Sequence, residues 1–214
     1  MRKDILVCGV GGQGTVLAAK LISAAARECG IPVRSAETIG MAQRGGPVTS
    51  HVRLGEGVWS PLVPMGGADV LLAFEPWEAV RELGRLKRGG LVVVCRDVVP
   101  PPSAALGGGM KRSAAGSVPG QGQGEKSAAV DANAAPLARL VVVSRSELLA
   151  PGEEKCLNVA LLGVAVGTGA TGIPAEAVRA AIRQGVKARF VDMNLAVFEK
   201  GLAQGKGKGV GNET

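Results

Sequence analysis

Tyrosine is absent from this chain, and aromatic residues make up only 2% of its 214 positions. Aliphatic and alanine packing must therefore build the core. Modules that stack nucleic-acid bases on aromatic rings are disfavoured. One histidine, His51, leaves little scope for imidazole chemistry. The four cysteines, Cys8, Cys29, Cys95 and Cys156, are far apart with no C-x-x-C, so the clustered spacing of a zinc site or an iron–sulfur cluster is missing. No apolar run approaches membrane-spanning length. The stretch after Arg2 and Lys3 is too short and glycine-broken for a signal peptide. These absences predict a cytoplasmic protein that meets no membrane and no nucleic acid and carries no metal of its own.

What is present is apolar. Hydrophobic residues make up 46%, enough for one substantial core in a chain of this length. The formal net charge of +7 favours anionic partners. Because no long Lys/Arg run occurs, an acidic protein or a multiply phosphorylated cofactor fits better than nucleic acid.

Apolar runs and glycine breaks divide the chain. Buried strands are expected at Ile5–Cys8, Ala68–Phe74, Leu91–Cys95 and Leu140–Val143, with a polar, edge-like strand at Val33–Glu37. Val48–Leu54 alternates, and Val58-Trp59 extends it as a hairpin. Helices are expected at Thr15–Cys29, Pro76–Leu86, Asn158–Gly167, Pro174–Gln184 and Phe190–Lys200. Cys8 and Cys95 fall in core strands as small hydrophobes. From Val99 to Pro136 the Pro, Gly, Ser and Gln content predicts a flexible insertion. Gly201–Thr214 reads as a frayed Gly/Lys tail, with one domain over 1–204 and disorder over 205–214. Strands alternating with helices predict an α/β fold: a Rossmann-like, doubly wound, mostly parallel sheet. The crevice beside its first βα turn is the expected ligand edge.

That turn is Gly9-Val10-Gly11-Gly12-Gln13-Gly14. Gly9, Gly11 and Gly14 have the G-x-G-x-x-G spacing that turns a strand sharply into a helix and aims backbone N–H groups at an anion. A nicotinamide cofactor would also need an acidic residue about twenty positions on, and Glu37 qualifies. However, a glycine-rich loop follows Glu37 where a second crossover helix belongs, and no downstream pair supplies hydride chemistry. His51 reads as a strand residue on a polar face or at a subunit contact, since no nucleophile or ligand partner lies nearby. Arg44, between Gly40 and Gly45-Gly46, sits on backbone that can approach a phosphate or carboxylate closely. It reads equally as a solvated loop arginine or an intersubunit ion pair. Gln43 either fixes the loop or reads a polar ligand group. Asn158, Asp192 and Asn194 read as helix-end residues.

The glycine turn followed by Glu37-Thr38-Ile39-Gly40-Met41-Ala42-Gln43-Arg44-Gly45-Gly46 resembles the gamma-type subunit of 2-oxoacid:ferredoxin oxidoreductases. The resemblance covers residues 1–98 and resumes over about 140–201, including Asn158–Gly163 and Phe190–Leu195. It implies a subunit of an oxidoreductase that is inactive alone and contributes no catalytic residue. Thiamine diphosphate, Mg2+ and iron–sulfur clusters would sit on a larger partner chain. The complex would convert an aryl or other 2-oxoacid and coenzyme A to acyl-CoA, carbon dioxide and reduced ferredoxin. Gly9, Gly11, Gly12, Gln13, Gly14, Glu37, Gly40, Gln43, Arg44, Gly45 and Gly46 are then the expected cofactor-binding positions. Two competitors stay open: a free-standing NAD(P)-dependent oxidoreductase, and an assembly subunit whose glycine turn only packs.

Overall fold

The computed structural model describes residues 2–39, 46–98 and 138–209. The expected insertion over 99–136 and the end of the tail lie outside them. The elements are β1 (Lys3–Val10), α1 (Thr15–Glu28), β2 (Val33–Ile39), β3 (Pro47–Leu54), β4 (Ala68–Ala73), α2 (Pro76–Glu82) and β5 (Leu86–Cys95). There follow β6 (Ala138–Val143), α3 (Arg145–Leu148), α4 (Leu157–Gly167), α5 (Ala175–Gly185) and α6 (Val191–Gly209).

One six-stranded sheet has the order β2-β3-β1-β4-β5-β6. β1, β4, β5 and β6 pair in parallel, while β3 runs antiparallel to both β1 and β2. Strand alternation sends Ile5 and Val7 of β1 into one core with α1, α4, α5 and α6, and sends Leu6 and Cys8 into a second with α2. Helices thus cover both faces of a mostly parallel sheet, the α/β architecture expected. Cys8 and Cys95 are fully buried, and β2 is indeed an edge strand.

Four local expectations need correction. The helix starting at Pro76 stops at Glu82, passes through a 3-10 turn at Leu83–Arg85, and gives way to β5 at Leu86. Gly89-Gly90 therefore lies inside a strand rather than ending a helix, and the β4–β5 register shifts beside it. Val58 and Trp59 form no strand. The last helix continues through Gly201 to Gly209, where a frayed tail was expected.

The fourth concerns His51. Thr49, His51 and Arg53 do share one face of β3, but that face is covered. β3 lies between two strands, and the loop after Leu54 together with Glu82 covers that face. His51 is buried and its Nδ1 accepts the Val63 N–H at 3.1 Å. That bond needs an unprotonated Nδ1. Burial lowers the His51 pKa below its ordinary 6.5, and the nearby Arg85 lowers it further. The folded chain therefore resists a proton that the unfolded chain accepts. Stability is full above about pH 6.5 and declines as pH falls toward the depressed folded value. Urea midpoints measured between about pH 7.5 and about pH 5.5 should fall, and His51→Gln should flatten that slope. An unchanged slope in the variant would remove His51 as its source.

Candidate functional site

The parallel strands deliver their carboxyl ends to one edge of the sheet, and β3 begins there. β1 pairs Val10 with Pro47 at that edge, so the glycine turn and the start of β3 are neighbours. The Gly11 N–H donates to the Gly46 carbonyl at 2.9 Å. The glycine turn and Gly46, well separated in sequence, are thereby joined by a backbone bond.

Gly14 is the residue before α1, at φ +81°, a left-handed conformation that a side chain would strain. A Cβ there would also strike Asn158 Nδ2. Gly14 offers no side chain to cap the helix, and no acidic residue occupies the first turn of α1. That helix start is left electropositive, a setting suited to phosphate or carboxylate.

Gln13 bridges the ends of β1 and β4. Its Oε1 accepts the Val10 N–H at 2.7 Å, and its Nε2 donates to the Phe74 carbonyl at 3.3 Å. The crevice between β1 and β4 is where the chain changes direction across the sheet, the usual ligand position in open α/β folds. A side chain already spans the strand ends there. Gly9 makes room for it, since a Cβ at Gly9 would lie 2.6 Å from Gln13 Oε1.

Glu37 is not brought to this turn. It pairs with Ser50 of β3, and Ser50 in turn pairs with Val7 of β1. The intervening antiparallel strand holds Glu37 two strand spacings from β1, about 10 Å. In a nicotinamide half-site the acidic strand lies directly beside the glycine strand, so this order argues against the dinucleotide reading. Gly40, Gln43, Arg44 and Gly45 lie outside the described residues, whereas Gly46 is buried at the turn.

Asn158 was missed as a member of the site. It is the second residue of α4, not its cap: its Nδ2 donates to the Gly14 carbonyl at 3.2 Å, and its Oδ1 accepts the Val159 N–H at 2.9 Å. One polar residue in the otherwise apolar segment Leu157–Gly167 was the signal available in sequence. Asn194 turns inward on its own helix, donating to the Phe190 carbonyl at 2.7 Å.

Neither core thiol is poised as a nucleophile. Burial pushes the Cys8 thiol well up, helped by Glu82 and Glu78 of α2 and by its cap Glu75. Cys95 is pushed up to about 11, also by burial. Both stay protonated and unreactive near neutrality. Glu75 caps α2 by accepting the Trp77 N–H at 2.7 Å and the Glu78 N–H at 3.1 Å. Among the described residues no group of three or more His, Cys, Asp or Glu could hold a metal ion, and no helix is long and apolar enough to cross a membrane. What this edge carries is a helix start without a side-chain cap, beside glycines that leave no room for a Cβ at Gly9 and Gly14.

Comparison with known proteins gives concordant results. The family model described as pyruvate ferredoxin/flavodoxin oxidoreductase matches residues 4–204. The chain is 37% identical over 205 residues to the indolepyruvate oxidoreductase subunit IorB of Archaeoglobus fulgidus, covering 95% of this chain and 96% of that protein. It is 34% identical over 203 residues to IorB of Pyrococcus horikoshii, covering 95% and 96%. The gamma subunit of a keto/oxoacid ferredoxin oxidoreductase from Geobacter sulfurreducens shares the fold, with TM-score 0.65, 20% identity and coverage of 96% and 99%. A 2-oxoglutarate:ferredoxin oxidoreductase from Magnetococcus marinus, solved with 2-oxoglutarate, coenzyme A and succinyl-CoA bound, aligns with TM-score 0.65 and 18% identity. That alignment covers 96% of this chain and 31% of the other.

Proposed function

Since the chain belongs to the pyruvate ferredoxin/flavodoxin oxidoreductase family, we propose that it is a subunit of a 2-oxoacid:ferredoxin oxidoreductase acting on indolepyruvate or another aryl 2-oxoacid. The reaction joins the acyl group to coenzyme A, releases carbon dioxide and passes two electrons to ferredoxin. A larger catalytic subunit holds thiamine diphosphate, Mg2+ and the iron–sulfur clusters, and these cofactors supply the decarboxylation and electron transfer. This chain contributes binding and placement, and it turns over nothing alone.

The observation that carries this reading is the bond from the Gly11 N–H to the Gly46 carbonyl. It fastens Gly46 beside the electropositive start of α1, which makes that edge a setting for an anion. Coenzyme A brings phosphates to such an edge, and Arg44 stands two residues before Gly46 in the chain. Its role is to pair with a coenzyme A phosphate.

Arg44→Ala in the assembled complex should raise the KM for coenzyme A by at least about 10-fold while the KM for the 2-oxoacid changes little. Unchanged coenzyme A kinetics would remove Arg44 from the site. Gln13 favours a second reading for the turn itself, because its carboxamide already fills the strand ends. On that reading the turn only packs against the partner, and the variant loses assembly instead of coenzyme A affinity. An adjacent reading frame encoding a large chain with thiamine and ferredoxin-type cysteine motifs would further support the subunit assignment.

A further inference from the structure

The opposite edge of the sheet carries a separate feature. Arg27 from the last turn of α1, Arg34 from β2 and Trp59 from the loop after β3 line a cavity of about 440 Å³, together with Ile31 and Glu56. Trp59 is 88% exposed, the most solvent-accessible large apolar side chain among the described residues. Leu62 and Met65, in the same loop, are 51% and 68% exposed.

This loop has no regular structure, yet three buried or half-buried side chains pin it. Arg53 Nη1 donates to the Ser60 and Leu62 carbonyls at 3.0 and 3.1 Å. His51 accepts the Val63 N–H, and Arg85 Nη1 donates to the Val63 carbonyl at 2.9 Å. Exposed aromatic area on fixed backbone is pre-organised for contact, because little entropy remains to be lost when a partner covers it.

Charge narrows the occupant. Among the described residues neither Arg27 nor Arg34 has an ion-pair partner, and Glu56 is the one carboxylate in the cavity wall. Two guanidiniums without an ion-pair partner among the described residues, beside an aromatic face, suit carboxylates flanking an apolar side chain. A small anion would leave the outer face of Trp59 wet, whereas a polypeptide covers both. The chain's net charge of +7 points the same way.

We propose that this edge docks an acidic segment of the large catalytic subunit, with Trp59 as the apolar anchor and Arg27 and Arg34 pairing with its carboxylates. The proposal rests on the subunit reading above. It places assembly and ligand binding at opposite edges of one sheet.

The test is reconstitution of the full chain with the large subunit, measuring affinity at low and high salt. Trp59→Ala and Arg27→Glu/Arg34→Glu are compared with wild type after thermal unfolding establishes that each is folded. Trp59→Ala should weaken assembly by at least about 30-fold. The charge-reversed variant should weaken it similarly and lose the salt dependence that wild type has. Wild-type affinity in both variants would overturn the docking proposal and leave the subunit reading standing. Failure of the wild-type chain to assemble would overturn both. A homodimer that Trp59→Ala dissociates, with assembly unaffected, would overturn the proposal in favour of a second copy of this chain.

Discussion

Gly201→Val should cost the chain on the order of 3 kcal/mol or more of stability, a large share of what a domain of this size has. Gly201 sits where α6 crosses α4, and a Cβ there would strike the Ala160 carbonyl oxygen and come within 3.1 Å of Val164 N. The obstruction is backbone, so no rotamer change relieves it. The approach is mutual: Gly163 of α4 faces the Phe198 carbonyl, and Gly205 faces that of Val164. Separating the helices to admit one methyl would open the main core, which contains Leu161, Val164, Phe198 and Leu202. Against this stands the gain of about 0.5–1 kcal/mol from replacing glycine by alanine within a helix. That gain is available by itself at Gly207, where an added Cβ meets nothing within 4 Å. Gly207→Ala should therefore raise the urea midpoint, while Gly201→Ala and, more strongly, Gly201→Val lower it. Equal effects at the two positions would refute the crossing as the cause.

The same crossing explains what was hard to read in the sequence. Glycine-rich, lysine-bearing segments resemble tails because glycine weakens helices. The residues that disfavour α6 in isolation allow it to approach α4, a tertiary property with no local signature. β3 posed a related difficulty. Its alternation suggested one dry and one wet face, yet an inner strand covered by a pinned loop has two dry faces, so His51 and Arg53 are buried. The parallel core was legible because Ile5–Cys8, Ala68–Phe74 and Leu91–Cys95 are short apolar runs bounded by breakers. At the site, the glycine turn was legible from spacing. The insertion of β3 between β1 and β2, which moves Glu37 away, was not, since strand order depends on long-range pairing. Asn158 lies 144 residues from the Gly14 carbonyl it holds, beyond any local pattern.

Arg53→Met should be about as damaging as Gly201→Val, by a different route. Arg53 and Asp4 are both buried and form a two-pronged pair, Nε to Oδ1 at 2.8 Å and Nη2 to Oδ2 at 3.1 Å. Removing the guanidinium leaves a buried carboxylate whose nearest remaining cation is Arg2, at 3.7 Å and mostly in solvent. Breaking one side of such a pair costs about 3–5 kcal/mol. It also releases the Ser60 and Leu62 carbonyls that fix the Trp59 loop. The double variant Asp4→Asn/Arg53→Met separates these effects. Neutralising the stranded carboxylate should recover much of the stability, since a buried ion pair adds little over neutral replacements. The Ser60 and Leu62 carbonyls beside Trp59 stay released, with only His51 and Arg85 still holding Val63, so affinity for the large subunit should remain reduced although the fold has recovered. Recovery of both together would mean that Arg53 serves the fold alone and that the exposed tryptophan needs no pre-organisation. Recovery of stability without affinity would place the buried pair in the assembly machinery, acting through the loop it holds.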